Sequence, residues 1–317
     1  MSPDLSVGIV NWNTKDYLRG CLNSIRDNLK GLTYEVIVAD NNSNDASCSM
    51  VRGEFPWVNL IENRINLGYA KANNRILKAA GGDKLLLLNP DILILGDSLR
   101  IMADFLDAHK NCAALAPKYL NPDGSFQRFY RRLPGLKVFV CKVSFISSWI
   151  PAKIRDRIIN RYEYALPQDN FDRVMELEQP AASCLMFKTA VLRDAGLFDE
   201  RFPLFFNDVD LCGRLRKKGY KIFFTPEARV IHYLGKSRDI SKYLENKEFI
   251  IGWLRYFKKS RGLPIYLSAR FMILCHTVIS AAYYLLSPVT GIKKIEDKRK
   301  ALKLCWEMLL ERSSFRE

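Results

Sequence analysis

Residues 84–91 read KLLLLNPD. Four consecutive leucines cannot alternate between a wet and a dry face, so a strand here is apolar on both sides and lies between two layers of helix. The polar Asn89-Pro90-Asp91 closes it. Working outward, Leu5–Asn11 (LSVGIVN), Tyr34–Asp40 (YEVIVAD) and Val58–Glu62 (VNLIE) are short apolar runs of the same kind. Between them the pattern changes to helical: from a cap at Thr14 to about Leu29, and again over Tyr69–Ala80, with a polar turn at Asn41–Ala46. The order strand–helix–strand implies right-handed crossovers and a parallel sheet. Ligands of open α/β sheets bind beyond the carboxyl ends of the strands. Asn11, Asp40, Asn89 and Asp91 fall there.

The 317 residues are 48% hydrophobic and 26% charged, which excludes a disordered chain. Most of the sequence has no apolar run long enough for a multi-span membrane protein. Met1–Trp12 lacks a basic segment followed by an apolar one, so the expectation is a protein that stays in the cytosol. The eight cysteines form no C-x-x-C pair and read as small buried hydrophobes, not as a zinc or disulfide framework.

The net charge is +15, and the residues from Lys236 onward contribute +9 of it. A second basic stretch runs from Arg128 to Arg161. Anionic lipid, nucleic acid and phosphorylated substrates all suit such a surface. Leu263–Val289 is strongly apolar, and its 17 residues Phe271–Ser287 carry no formal charge. A spanning helix needs about 20. Basic flanks lie on both sides, Lys258, Lys259 and Arg261 before and Lys293, Lys294, Lys298, Arg299 and Lys300 after. Helices lying in the membrane interface are favoured over a buried core helix or a span. The expected division is an α/β domain over 1–238 and a helical, membrane-associating extension over 239–317.

The later chain is less regular. Asn121-Pro122-Asp123-Gly124 is a turn between extended runs. Residues 131–175 are basic, aromatic and partly helical, without a clear assignment. Ser183–Phe187 reads as a strand, Thr189–Ala195 as a helix, and Asp208–Lys218 as an amphipathic helix stopped by Gly219. Lys221–Phe224 and Arg229–His232 read as two strands.

Six motifs then stand in one order: LSVGIVNWN at 5–13, DNNSND at 40–45, NLGYA at 66–70, NPD at 89–91, FFNDVDL at 205–211, and PEA at 226–228 followed by VIH at 230–232. Over residues 4–238 this set resembles the family 2 glycosyltransferases, with their GT-A type nucleotide-sugar-binding domain built on a mostly parallel sheet. It is most similar to the bacterial rhamnosyltransferase-like subgroup. The resemblance implies an inverting enzyme. It would move a sugar, rhamnose or another hexose, from a UDP or dTDP sugar rather than a GDP sugar. The acceptor would be a hydroxyl of a polysaccharide or polyprenyl-diphosphate-linked glycan in cell-surface glycan synthesis. The enzyme would sit peripherally on the cytoplasmic side of the inner membrane, against its anionic surface, with a homodimer left open.

The resemblance also implies residue roles. Asp208 would be the catalytic base, which general-base chemistry requires beside the acceptor hydroxyl. Asn11, Asp40, Asn42, Asn66, Gly68, Asn73, Asn89 and Asp91 would meet the nucleotide and donor. Asp91 and His232 would hold Mn²⁺ or Mg²⁺. Ser183, Asn207, Asp210, Arg131 and Arg132 would lie on the acceptor side. Asn89 and Asn207 stand where the family commonly has acids. Plainer readings exist for each: Asp40 as a turn former, Asp208 as an acidic residue favoured by a helix N-terminus, the arginines as ordinary surface groups. Two competing functions are a catalytically impaired scaffold of the same fold and a nucleic-acid-binding protein. No nucleic-acid-binding fold signature accompanies the charge.

Overall fold

Every residue of the leucine strand is buried, as its two-sided apolar pattern requires. The structure, a computed structural model, describes residues 2–29, 31–235 and 242–286, and beyond them Lys303, Trp306, Glu307 and Leu310. The chain opens with β1 (Leu5–Asn11), α1 (Lys15–Asn28), β2 (Tyr34–Asp40), α2 (Ser47–Glu54), β3 (Val58–Glu62), α3 (Gly68–Ala79) and β4 (Lys84–Leu88). Next come β5 (Ile92–Leu95), α4 (Ser98–Ala108), β6 (Cys112–Leu120), β7 (Tyr130–Arg131), α5 (Leu136–Val143), a 3-10 turn (Phe145–Trp149) and α6 (Ala152–Tyr162). The remainder is β8 (Met175–Leu177), β9 (Gln179–Pro180), β10 (Cys184–Lys188), α7 (Thr189–Asp194), α8 (Asn207–Lys217), β11 (Lys221–His232), α9 (Lys242–Ser260) and α10 (Leu263–Leu286).

The main sheet has the order β3-β2-β1-β4-β10-β6-β11-β5, with β8 beside β11. Six strands, β1, β2, β3, β4, β6 and β11, run in one direction, and β5, β8 and β10 run against them. The sheet is therefore mostly parallel, as expected. β7 and β9 form a separate two-stranded ladder.

Several details differ from the sequence reading. Thr14 precedes α1 but its hydroxyl makes no cap bond to the helix; it donates instead to Asn11 Oδ1 at 2.6 Å. The two strands expected at 221–224 and 229–232 are one strand, β11, with an irregularity between Phe224 and Arg229. Pro226 lies in that gap and has no N–H to give to a ladder. The seven described cysteines are free.

The chain folds as two units, Met1–Leu133 with Glu163–Asp239, and Pro134–Tyr162 with Ile240–Glu317. Residues 134–162 thus group with the C-terminal helices, where the sequence reading placed them in the first domain. Aromatic packing explains this: Phe139 of α5 meets Trp253 at 5.5 Å and Phe257 at 5.6 Å in edge-on geometry. In this second unit Arg261 also donates to Pro134 O at 3.0 Å. No helix among the described residues is long and apolar enough to cross a membrane. On α10, Leu263, Leu267, Phe271, Leu274 and Val278 are exposed, and their spacing lines them along one face. The basic run 293–300 lies outside the described residues.

In the first unit, α3 packs against β1 at Gly8. A Cβ on Gly8 would stand 2.5 Å from Ile76 Cγ2, closer than any real contact, and Ile76 is fully buried with a stiff branched side chain. Gly8→Ala is expected to cost about 1–3 kcal/mol through overpacking. Adding Ile76→Ala makes room for the new methyl, so the double variant loses less than the sum of the singles. Thermal melts of the four proteins check this.

Candidate active site

The site is assembled at the end of the sheet where the six co-directional strands finish. Two reversed strands, β5 and β10, begin there. This topology gathers Asn11, Asp40, Asn89, Asp91, Ser183 and His232 from distant parts of the sequence.

Asn11, Asp40 and Ser43 form one buried joint. Asn11 Nδ2 donates to Asp40 Oδ2 at 2.7 Å and to Ser43 Oγ at 3.2 Å. Asp40 also accepts from Ser43 N at 2.8 Å and Ser43 Oγ at 2.7 Å. With 1% exposure and three protein donors, Asp40 acts as the organiser of the loop after β2. The plain turn-forming role therefore describes its contacts within the protein. Asn42, by contrast, is exposed, with a left-handed φ of 64° that asparagine tolerates.

The start of α3 is also held by protein contacts. A helix N-terminus with a preceding glycine suggests a phosphate site. Here Tyr69 N and Ala70 N donate to Pro203 O at 2.7 and 3.3 Å, and Gly68 N donates to Asn66 Oδ1 at 2.9 Å. Gly68 has φ 73°, and a Cβ would meet Pro203 O at 2.9 Å. Tyr69 N and Ala70 N thus dock this helix start onto the loop at 203, Asn66 closes a turn onto Gly68 N, and Asn73 bonds back to Tyr69 O at 3.0 Å.

Asp91 lies between β4 and β5, fully buried, and His232 ends β11 with 2% exposure. His232 Nε2 stands 3.7 Å from Asp91 Oδ1. Hard divalent cations take oxygen ligands, and Mg²⁺ is usually held by one or two carboxylates plus substrate phosphates. The Asp91 carboxylate meets that preference, and a neutral imidazole is itself a common metal ligand, so the pair fits the expected metal as a two-ligand site. Among the described residues no group of three or more His, Cys, Asp or Glu is arranged to hold one, so substrate oxygens would complete the shell. Asn89 contributes through its backbone, donating to Ser183 O at 2.7 Å.

Asp208 lies in the first turn of α8, after Phe206 in a left-handed conformation with φ 66°. It is half-buried, and burial pushes its carboxyl up to about 6 against the lowering effect of the Val209 and Ala182 N–H groups. Val209 N donates to Oδ1 at 2.8 Å, and Gln179 Nε2 to Oδ2 at 3.1 Å. The segment 179–184 is the hub. Its Gln179 and Ala182 hold Asp208, its Ala182 O accepts from Tyr69 Oη at 2.7 Å, and its Ser183 O accepts from Asn89. Asp208 is thereby tied to the strand end that carries Asp91.

The other residues expected on the acceptor side have these contacts within the protein. Asp210 is buried and pairs with Arg214 at 2.8 Å, whose guanidinium also donates to Gly196 O and Leu197 O at 2.7 and 2.9 Å. Through Arg214 it fastens α8 to the turn after α7. Asn207 is buried and donates to Leu204 O at 2.8 Å. Arg132 pairs with Asp169 at 3.0 Å and Glu178 at 3.4 Å and covers the Tyr164 ring at 4.0 Å. Arg131 donates to Tyr130 O at 2.7 Å and lies 3.8 Å from Glu163. Carboxylates therefore lie against both arginines expected on the acceptor side. Ser183 Oγ lies 3.1 Å from Tyr119 Oη.

Sequence reasoning missed Tyr69, Tyr119, Asn41, Gln127 and Asn63. Asn41 bridges Gly68 O at 3.2 Å and Asn63 Nδ2 at 2.8 Å, and the polar run DNNSND is the signal that could have found it. Gln127 carries no such signal.

The sequence matches the description "Glycosyl transferase family 2" over residues 6–168, just over half of the chain. It is 28% identical over 226 residues to N-acetylglucosaminyl-diphospho-decaprenol L-rhamnosyltransferase of Mycobacterium tuberculosis, covering 66% of this chain and 70% of that protein. Rhamnosyltransferase WbbL of Escherichia coli is 22% identical over 262 residues, covering 80% and 89%. Among solved structures, the mannosyltransferase PcManGT from Pyrobaculum calidifontis, in complex with GDP-Man and Mn²⁺, superposes with a TM-score of 0.54 at 14% identity, covering 98% of this chain and 86% of that one. GalNAc-T7 with UDP, GalNAc and Mn²⁺ gives 0.57 at 14% identity, covering 96% and 56%. These likenesses bear out the GT-A type fold, and the rhamnosyltransferases among the relatives bear out the subgroup resemblance. The chain belongs to glycosyl transferase family 2.

Proposed function

We propose that this chain is an inverting, metal-assisted glycosyltransferase of cell-surface glycan synthesis. It takes rhamnose or another hexose from a UDP or dTDP sugar and places it on a hydroxyl of a lipid-linked or polysaccharide acceptor. The observation that carries this reading is Asp208: a carboxylate at a helix start, raised to about 6 by burial and held by Gln179. Its tie through segment 179–184 to the strand end that carries Asp91 supports a position beside the expected donor site. A base of this strength is mostly ionised at neutral pH yet takes a proton readily, which is what general-base catalysis wants. Asp208 accepts the acceptor hydroxyl's proton as that oxygen attacks the anomeric carbon, and the diphosphate leaves from the opposite face. Asp91 and His232 would hold the divalent cation, which supplies Lewis-acid stabilisation of the leaving diphosphate. The loop organised by Asp40, with exposed Asn42, supports the nucleoside.

The exposed apolar face of α10, next to Lys258, Lys259 and Arg261, supports a peripheral position on an anionic cytoplasmic leaflet.

Asp208→Asn is expected to lower transfer by roughly 10²–10⁴-fold while nucleotide binding persists. In the wild type, kcat/KM rises through pH 6 as the base ionises. Because the folded-state value exceeds 3.8, the ionised form costs stability above that range and not below about pH 4. The variant therefore melts at or above the wild-type temperature at pH 8. Unchanged turnover removes Asp208 as the base; nucleotide binding without any wild-type transfer favours the impaired scaffold.

Calorimetry with UDP and dTDP tests the donor site. Mn²⁺ is expected to tighten binding of one of them, and Asp91→Asn to abolish that gain.

Sedimentation with anionic vesicles tests location. The full chain is expected to bind at low salt and less at high salt, and Leu267→Ser with Phe271→Ser to weaken binding. Absence of binding together with a dimer in solution would assign the α10 face to a second copy.

A further inference from the structure

Gln127 is buried, with 8% exposure, just beyond the turn at 121–125. Its side-chain amide touches His232 twice. Nε2 donates to the His232 main-chain carbonyl at 3.2 Å and to Asn121 Oδ1 at 2.7 Å. Oε1 lies 2.7 Å from His232 Nδ1.

The orientation of this amide follows from chemistry. A main-chain carbonyl can only accept, so the group facing His232 O must be the NH₂. Flipping the amide would set carbonyl against carbonyl. Oε1 therefore faces Nδ1, and since a carbonyl oxygen only accepts, Nδ1 carries a hydrogen. In the neutral imidazole the lone pair is then on Nε2, the nitrogen 3.7 Å from Asp91 Oδ1. The ring is held in place by Phe129, edge-on at 5.0 Å, and by Tyr119 at 5.7 Å.

We infer that Gln127 is a positioning residue that fixes His232 as its Nδ1–H tautomer and so turns the Nε2 lone pair toward Asp91, ready for a divalent cation. The cation part rests on the metal reading under Proposed function; the tautomer part does not. Metal-binding histidines are commonly fixed through the hydrogen bond of their second nitrogen. The opposite tautomer would point an N–H at Asp91 and offer no electron pair. A bond to both the ring and the main chain of one residue is more than tying down the 121–125 turn requires.

Two variants separate this role from simple packing. Gln127→Met keeps the length and loses every polar contact. Gln127→Glu keeps an acceptor for Nδ1–H and loses the donors. Long-range proton–nitrogen NMR at pH 8 reads the tautomer without metal. The chain has only three histidines, His109, His232 and His276, and a His232→Asn spectrum assigns the signal. The expected result is protonated Nδ1 in the wild type and in Gln127→Glu, and a shift toward protonated Nε2 in Gln127→Met. Protonated Nε2 in the wild type, or an unchanged tautomer in Gln127→Met, overturns the inference.

Mn²⁺ titration followed by electron paramagnetic resonance, with UDP or dTDP present, reads the consequence. Gln127→Met is expected to bind Mn²⁺ roughly 10–100-fold more weakly, with Gln127→Glu retaining most of the affinity. Equal affinity in wild type and Gln127→Met overturns the positioning role. A wild type with the Nδ1–H tautomer and no Mn²⁺ binding would instead remove the metal reading and leave the tautomer assignment standing.

Discussion

The hydrogen bond from Asn89 N to Ser183 O, 2.7 Å long, marks the constraint on which the site depends. It forms where β10 enters the sheet against the direction of β4, pairing Cys184 with Leu88. Because β10 runs backwards, its start lies at the ligand end of the sheet. Gln179, Ala182 and Ser183 therefore arrive beside the finishing ends of β1, β2 and β4. Inserted the other way, a five-residue strand would carry that segment about 17 Å off, and Asp208 would lose Gln179 and Ala182.

Around this joint, buried amides and hydroxyls are bonded to one another. Asn11 joins β1 to the loop after β2, Asn41 joins that loop to Gly68, and Asn74 joins α3 to Phe198 by a reciprocal pair at 2.9 Å. Such bonding satisfies groups that would be costly to leave unmade. It also fixes the frame, so that few groups need to move when charge develops during reaction. Asp40 and Asn73, expected to touch the nucleotide, are part of this bonded frame.

Much of the first half was legible because apolar runs punctuated by polar ends leave few alternatives. Tyr34–Asp40 and Val58–Glu62 have the expected bounds. α2 was missed because its eight residues bury only Ser47, Met50 and Val51, too little for a helical period to stand out. Asp208 was legible from motif order, but Gln179, which holds it, lies 29 positions away. The charge of Arg131 and Arg132 was plain in the sequence. Their partners Glu163, Asp169 and Glu178 were not, because pairing is set by the path of the chain through an unassigned stretch. Gln127 had no local signal, since its function arises only when the 121–125 turn meets the end of β11.

The interleaved origin of the helical unit bears on how the protein is made. Phe139 packs against Trp253 and Phe257, aromatic residues that follow it by more than a hundred positions. At a synthesis rate of about 5–20 residues per second, Phe139 leaves the ribosome on the order of ten seconds before its partners. For that interval an apolar helix, LKVFVCKV at Leu136–Val143, waits uncovered while the strands on either side of it in the chain are already able to pair. The nascent chain thus passes through a stage in which the part nearest completion is the sheet, and the part most exposed to wrong partners is the short loop of helices that interrupts it.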